Sequence, residues 1–384
     1  MIIDCDANAT YAPDERIRGV ISSCVDSLGN ASSLHRGGQR ARAAIEEARA
    51  SVKRLVGASE RDTLVFTSGA TEANNMVIAA VASSAGPIVS ASTEHPCILQ
   101  PLKRLASQGR VVVFVDPDQD GRVSVELVKA AVNPATALVT IMTANNETGV
   151  VNPIAEISQV VRQIAPKALI HTDAAQLLGK GVVSMRELGV DLLTISAHKI
   201  GALSGTGALV IRDGVTIPPL LLGGSQESKL RGGTENVLGI AVFGAVADLM
   251  SAELSDRALR MSMERDAFED LLLREIPDAQ INGANTQRLP NTSSVYIPGV
   301  RADDLIVAMD LERILISSGA ACTSGKPEPS HVLKAMGQDE QRTRSTIRVS
   351  LRADMSVDSI ARVVKALVNA TSRMRCANIT GEAA

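Results

Sequence analysis

From about residue 62 to residue 212 the chain repeats one pattern, a short run rich in Val, Ile, Leu and Thr followed by a longer stretch with helical spacing. Short apolar runs that alternate with helices are what a largely parallel sheet, covered on both faces, requires. The predicted strands are residues 63–67, 88–90, 111–115, 138–142, 169–172 and 192–196, with helices over 71–82 and 154–164. Aromatic residues make up only 2% of the chain and Trp is absent, so Ala, Val, Leu and Ile must fill the core. Such a core suits helices layered on a sheet.

Near residue 250 the texture changes to a charged amphipathic helix over 258–276, followed by strands near 293–297 and 347–350. A last helix over 357–373 puts Ile360, Val363, Val364 and Leu367 on one face at three- and four-residue spacing. The 384 residues exceed a typical domain of about 100–200. The reading is a large α/β domain over 15–250 and a smaller α+β domain made of 1–14 and 251–384.

A formal net charge of −3 and the scarcity of aromatics argue against nucleic-acid binding, which uses basic patches and stacking platforms. No uninterrupted apolar run approaches the roughly 20 residues of a membrane span, and the first residues lack a basic and apolar leader pattern. A cytoplasmic protein is expected. The five cysteines (Cys5, Cys24, Cys97, Cys322 and Cys376) form no CxxC pair and have no His at metal-ligand spacing, so no metal site or disulfide framework is expected.

Residues that could carry chemistry follow the strands. Ser68-Gly69-Ala70-Thr71-Glu72 lies between a strand and a helix, where free N–H groups and the positive end of the helix dipole make an anion cradle. A simple capped helix start is the alternative. Asp173, in His171-Thr172-Asp173-Ala174-Ala175-Gln176, stands just past a buried strand, where open α/β sheets bind ligands, although a helix N-cap would also explain it. Lys199, in Ser196-Ala197-His198-Lys199, ends another strand, and partial burial would free its amine as a nucleophile. Anion cradle, carboxylate and lysine at the carboxyl ends of one sheet are the three parts a pyridoxal-phosphate site needs.

His95 follows the strand ending near Ala91 and could stack on a flat ring or move a proton. Asn146, in Asn145-Asn146-Glu147-Thr148-Gly149, could hold a ring oxygen or a carboxylate, or simply belong to a turn. Cys322 sits in Ser317-Ser318-Gly319-Ala320-Ala321-Cys322-Thr323-Ser324-Gly325, with too few apolar neighbours to anchor it, so a mobile loop presenting a thiol is expected. The other four cysteines have no such setting and are read as bystanders.

Together, Ser68-Gly-Ala-Thr-Glu, Thr93-Glu-His95, Asn145-Asn-Glu-Thr-Gly-Val, Asp173-Ala-Ala-Gln176, Ser196-Ala-His-Lys199, Arg231-Gly-Gly-Thr234 and Ser317-Ser-Gly-Ala-Ala-Cys322 occur in the order of one family. The chain resembles the cysteine desulfurases, class V relatives of the fold-type I pyridoxal-phosphate transferases, from Asp4 to Arg348. The resemblance implies pyridoxal 5'-phosphate held on Lys199, with Asp173 at the ring nitrogen, Gln176 at the ring hydroxyl and His95 stacked on the ring. It places Ala70, Thr71, Ser196 and His198 at the phosphate, joined by Thr234 from the partner subunit of a homodimer. Asn146 would touch cofactor and substrate, and Arg348 would clamp the carboxylate of L-cysteine. Cys322 would take the substrate's sulfur as a persulfide and pass it to an acceptor protein such as an iron–sulfur scaffold, as in the family's long-loop branch.

The chain departs from the family pattern at Asn8 to Pro13, at Gly223 to Lys229 and at Ser350-Leu351-Arg352-Ala353. A selenocysteine lyase, another class V lyase or an aminotransferase would share the cofactor residues. A non-catalytic sulfur-relay partner would not need them.

Overall fold

The computed structural model describes residues 2–26, 29–318 and 329–381. Its centre is a seven-stranded sheet made of β2 (Thr63–Thr67), β3 (Ile88–Ala91), β4 (Val112–Val115), β5 (Leu138–Thr140), β6 (Leu169–Asp173), β7 (Leu192–Ser196) and β8 (Gly207–Ile211). The order across the sheet is β2-β8-β7-β6-β5-β3-β4. Six strands run in one direction, whereas β8 lies antiparallel to both its neighbours, β2 and β7. The six predicted strands are all present. The seventh, β8, follows a glycine-rich loop and was not anticipated.

Most strand residues are buried because helices cover both faces, and the edge strand β4 is half-buried over its first three residues. One apolar cluster contains Phe66, Val89, Ile141, Ile170 and Ile195, and the other contains Val65, Ile88, Leu138, Leu192 and Leu209. Neighbouring residues of one strand thus fall in opposite clusters, as the alternation of side chains across a sheet dictates. The helix Arg36–Leu55 packs on the first face through Ala41, Ile45, Ala48, Val52 and Leu55, spaced three and four residues apart.

That helix lies against a 39-residue helix, Val237–Glu275, which begins 21 residues before the helix expected at Ala258. At the crossing, a Cβ added to Gly244 would sit 2.5 Å from the Ala48 Cα, so only glycine allows this approach. By length and composition alone this helix could cross a membrane. Here Val237, Ile240, Phe243, Val246 and Met250 are buried in the main core. Further along, Phe268 and Leu272 enter a separate core with Val295, Ile347, Val349, Ile360, Val363 and Leu367.

This second core lies under a small antiparallel sheet of β9 (Gln280–Ile281), β10 (Thr292–Tyr296) and β12 (Thr346–Ser350). The first residues of the chain join it, since β1 (Ile3–Asp4) pairs in parallel with β11 (Ile314–Leu315). Asp6 then bridges to Ser350. The segment from Asp6 to Tyr11 next reaches the large sheet, where the Tyr11 N–H donates to the His198 carbonyl at 3.1 Å. It therefore links the two cores.

Two sequence departures meet here. The Tyr11 hydroxyl accepts the Ala353 N–H at 3.1 Å, and the Arg352 guanidinium lies 5.2 Å from the Tyr11 ring centroid. The unusual residues at both places therefore contact one another.

Candidate active site

A cavity of about 420 Å³ opens at the carboxyl ends of β2, β3, β5, β6 and β7. Past β2 the chain turns at Gly69, with φ 153° and ψ 177°, and the helix Ala70–Ala80 starts there with no side chain capping its backbone N–H groups. The capped-start alternative is thus not what forms. Glu72, in the first turn, pairs with Arg231 at 2.9 Å and accepts the Ser68 N–H at 2.8 Å, so its charge is met by Arg231. The β8 strand closes over the turn, because a Cβ on Gly207 would lie 2.7 Å from the Gly69 Cα.

Lys199 lies in the helical turn Ala197–Ile200, which stops at Gly201 with φ 89°. Its amine donates to the carbonyls of Asn8 at 2.6 Å and Ala9 at 2.9 Å. Burial brings the Lys199 pKa down to about 8; the Arg348 charge lowers it further and Asp173 opposes the shift. His198, half-buried and beside Lys199, is pushed down to about 4 by that partial burial and by the Lys199 charge.

Asp173 ends β6 with its carboxylate in the cavity wall. Oδ1 accepts the Ala175 N–H at 2.9 Å, and Oδ2 accepts from Asn74 Nδ2 at 2.6 Å. Asn74 comes from the helix that follows the cradle, so one helix serves both the anion end and the carboxylate end of the cavity. Gln176, on the same turn as Asp173, also lines the cavity.

His95 caps the helix Pro96–Ser107, its Nδ1 accepting the Cys97 N–H at 3.2 Å. Burial lowers its pKa. A neutral ring whose Nδ1 accepts carries its proton on Nε2, an assignment made from the hydrogen bond. The Asn145-Asn146 pair divides its work: Asn145 Oδ1 accepts the N–H groups of Glu147 and Thr148, building the turn, while Asn146 lines the cavity. Ala70, Thr71 and Ser196 line it as well.

Two expected residues lie elsewhere, and a third falls outside the described residues. Arg348 is buried in β12 beyond the cavity lining, Nη2 paired with Asp6 at 2.6 Å and Nη1 donating to the Asn146 carbonyl at 2.9 Å. Its Nε is buried with no partner among the described residues. The bidentate clamp is therefore already half engaged by the protein itself. Thr234 is exposed and outside its own chain's cavity. Cys322 lies outside the described residues.

The sequence reading missed Asn74 and Lys180, and it took Cys97 for a bystander. Cys97 lines the cavity, its Sγ 2.9 Å from His95 Nδ1 and 3.1 Å from Asn74 Nδ2, and burial pushes the thiol up to about 12. The signal was positional: two residues after a capping His, Cys97 falls in the first turn of the helix. For Asn74 the signal was its place one turn beyond the cradle.

This donor set fits pyridoxal 5'-phosphate. An uncapped helix start suits a phosphate, a fixed carboxylate suits a ring nitrogen, and a lysine with a lowered pKa suits an aldehyde. Fold and site together are those of a pyridoxal-phosphate enzyme. The model of the family described as Aminotransferase class-V matches residues 5–363. A cysteine desulfurase of Trichormus azollae is 40% identical over 379 residues, which is 97% of this chain and 94% of that one. Among solved structures, a NifS-like protein superposes with a TM-score of 0.90 at 33% identity, covering 97% of this chain and 100% of the other. A structure described as SspA in complex with cysteine gives 0.79 at 30%, covering 92% and 99%. The chain belongs to the aminotransferase class-V family, and within it to the cysteine desulfurases.

Proposed function

We propose that this chain converts L-cysteine to L-alanine at the cavity above β5, β6 and β7, with pyridoxal 5'-phosphate on Lys199 and the sulfur leaving on Cys322. The observation that carries the reading is the convergence of the Lys199 amine, the Asp173 carboxylate and the uncapped start of Ala70–Ala80 on one cavity. When bound, the cofactor supplies an electron sink that stabilises negative charge on the substrate's α-carbon. Asp173, fixed by Asn74 and Ala175, would hold a protonated ring nitrogen, and His95 would lie against the ring with Nε2–H as its donor. Lys199 would hold the cofactor and then move protons at the substrate's α-carbon.

Arg348 would take the substrate carboxylate, and its unpartnered buried Nε supports that role. The Cys322 thiolate would form an S–S bond with the substrate sulfur as the substrate's Cβ–S bond breaks, and the carbon skeleton, once protonated, leaves as alanine. The relative solved with cysteine supports the substrate. An acceptor protein then takes the outer sulfur. The enzyme works as a homodimer, a reading supported by the exposed Thr234 and the 86% exposed Leu222, and a cytoplasmic location is proposed with it.

The test is alanine release from L-cysteine by the cofactor-loaded protein beside its Cys322→Ala and Lys199→Ala variants. The expected result is alanine with matching sulfide under reductant from the wild type, and almost none from either variant. Equal alanine from the Cys322→Ala variant would sink the persulfide step in favour of a lyase. No alanine from the wild type would overturn L-cysteine as the substrate.

A further inference from the structure

The cavity's polar surroundings contain a buried amine that the mechanism above leaves unused. Lys180 is only 2% exposed, and no carboxylate pairs with it among the described residues. Its Nζ donates to Asn8 Oδ1 at 2.7 Å and to Gln176 Oε1 at 2.9 Å. A lysine buried without a counterion is costly, and such groups persist where their hydrogen bonds matter. Its two partners both belong to the site: Gln176 lines the cavity, and the Asn8 carbonyl receives the Lys199 amine.

The geometry fixes the Gln176 amide. Nε2 donates to the Asn8 carbonyl at 3.1 Å while Oε1 faces the Lys180 amine. A flipped amide would turn its oxygen toward a carbonyl and its N–H2 toward a donor, losing both bonds. Charged or neutral, a lysine amine carries at least two N–H groups, enough for Asn8 and Gln176 together. One Nε2 hydrogen goes to Asn8, and the second remains for the cavity.

We infer that Lys180 is a positioning residue, which, through Gln176 Oε1 and Asn8 Oδ1, makes Gln176 present an N–H donor to an acceptor oxygen bound beside Asp173. On the reading above, on which this inference rests, that oxygen is the ring oxygen of pyridoxal 5'-phosphate in its acceptor form. Lys180 also holds Asn8 in place. Asn8 Nδ2 donates to Thr292 Oγ1 at 2.8 Å, and Asn8 Oδ1 accepts from Asn291 Nδ2 at 3.2 Å, so the same amine ties the cavity to the small sheet.

The test is a double-mutant cycle on the full chain, read as the Kd for pyridoxal 5'-phosphate, with thermal unfolding as the control for folding. Lys180→Met is expected to weaken binding by about 3- to 10-fold, the worth of one oriented hydrogen bond. In a Gln176→Leu background the same change should cost less than about twofold, because the group through which it acts is gone. Lys180→Gln, shorter but still an N–H donor, should recover part of the loss. It supplies the cycle if Lys180→Met does not fold. Losses that add in full across the cycle, or a wild-type Kd in both Lys180 variants, would overturn the positioning role while leaving the cofactor assignment intact. A wild type that binds no pyridoxal 5'-phosphate would overturn both.

Discussion

On the function proposed above, the Lys199 amine would set how fast the site captures an aldehyde, and its surroundings would give that rate a defined pH dependence. Burial is the main cause of its fall from 10.5 to about 8. At pH 7 an amine of pKa about 8 is neutral in roughly 9% of molecules, against roughly 0.03% for an unperturbed lysine, so the reactive form is enriched about 300-fold. The rate of pyridoxal 5'-phosphate uptake by cofactor-free protein should therefore rise about tenfold per pH unit up to about pH 8 and then level off. Stopped-flow absorbance of the lysine-bound cofactor, followed from about pH 6 to pH 10, measures it. Two variants fix the cause: Arg348→Met removes a cation that lowers the pKa and should move the break upward, and Asp173→Asn should move it downward. Because the folded pKa lies below the unfolded value, the unfolded chain binds more protons between about 8 and 10.5, so this group's cost to stability is relieved as pH rises through that window. A rate that climbs without a break to pH 10 would refute the lowered pKa.

Other outcomes follow from the packing. Arg49 pairs with the buried Glu227 at 2.9 Å, and Glu227 also accepts the Phe66 N–H at 2.8 Å, so Arg49→Met should cost about 3–5 kcal/mol in urea unfolding by leaving that carboxylate unpaired. A loss under about 1 kcal/mol would mean that Glu227 relaxes into water. Ser228 sits at φ 56° between two other residues of positive φ, and Ser228→Gly should stabilise the fold by about 0.5–1 kcal/mol, seen as a higher Tm. Phe268→Ala, which empties a fully buried position in the second core, should cost about 3–5 kcal/mol; a shift below about 1 kcal/mol would show that this core collapses around the gap.

The Ser228 site falls within one departure from the family pattern. Glu227, Ser228 and Lys229 are three consecutive non-glycine residues at φ 43°, 56° and 66°. The turn they make aims the Glu227 carboxylate at Arg49 and the Phe66 N–H, on the strand that leads into the anion cradle. Nothing local in Gln226-Glu227-Ser228-Lys229 announces this, because the partner that holds the turn lies 178 residues away.

What the sequence alone determined was the part written in local pattern. Buried strands read as short, largely apolar runs, and the chemistry sits at their carboxyl ends or within four residues of them, so Asp173, Lys199, His95 and the Ser68 to Thr71 turn could be named from spacing and residue type. The elements that escaped were those without a local signature. β8 emerges from a glycine-rich loop and runs against its neighbours, and the long helix conceals its first half in apolar sequence that resembles a core strand run as much as a helix. Tertiary structure alone decided that Arg348 is engaged by Asp6 and the Asn146 carbonyl, that Cys97 faces the cavity, and that Lys180 donates to both Gln176 and Asn8. The physical reason is distance along the chain: Asn8 and Lys180 are 172 residues apart, and a hydrogen bond between them exists only once the first strand has joined the small sheet and the chain beyond it has reached the large one. A side chain's type is fixed by its codon, but its partner is fixed by the fold.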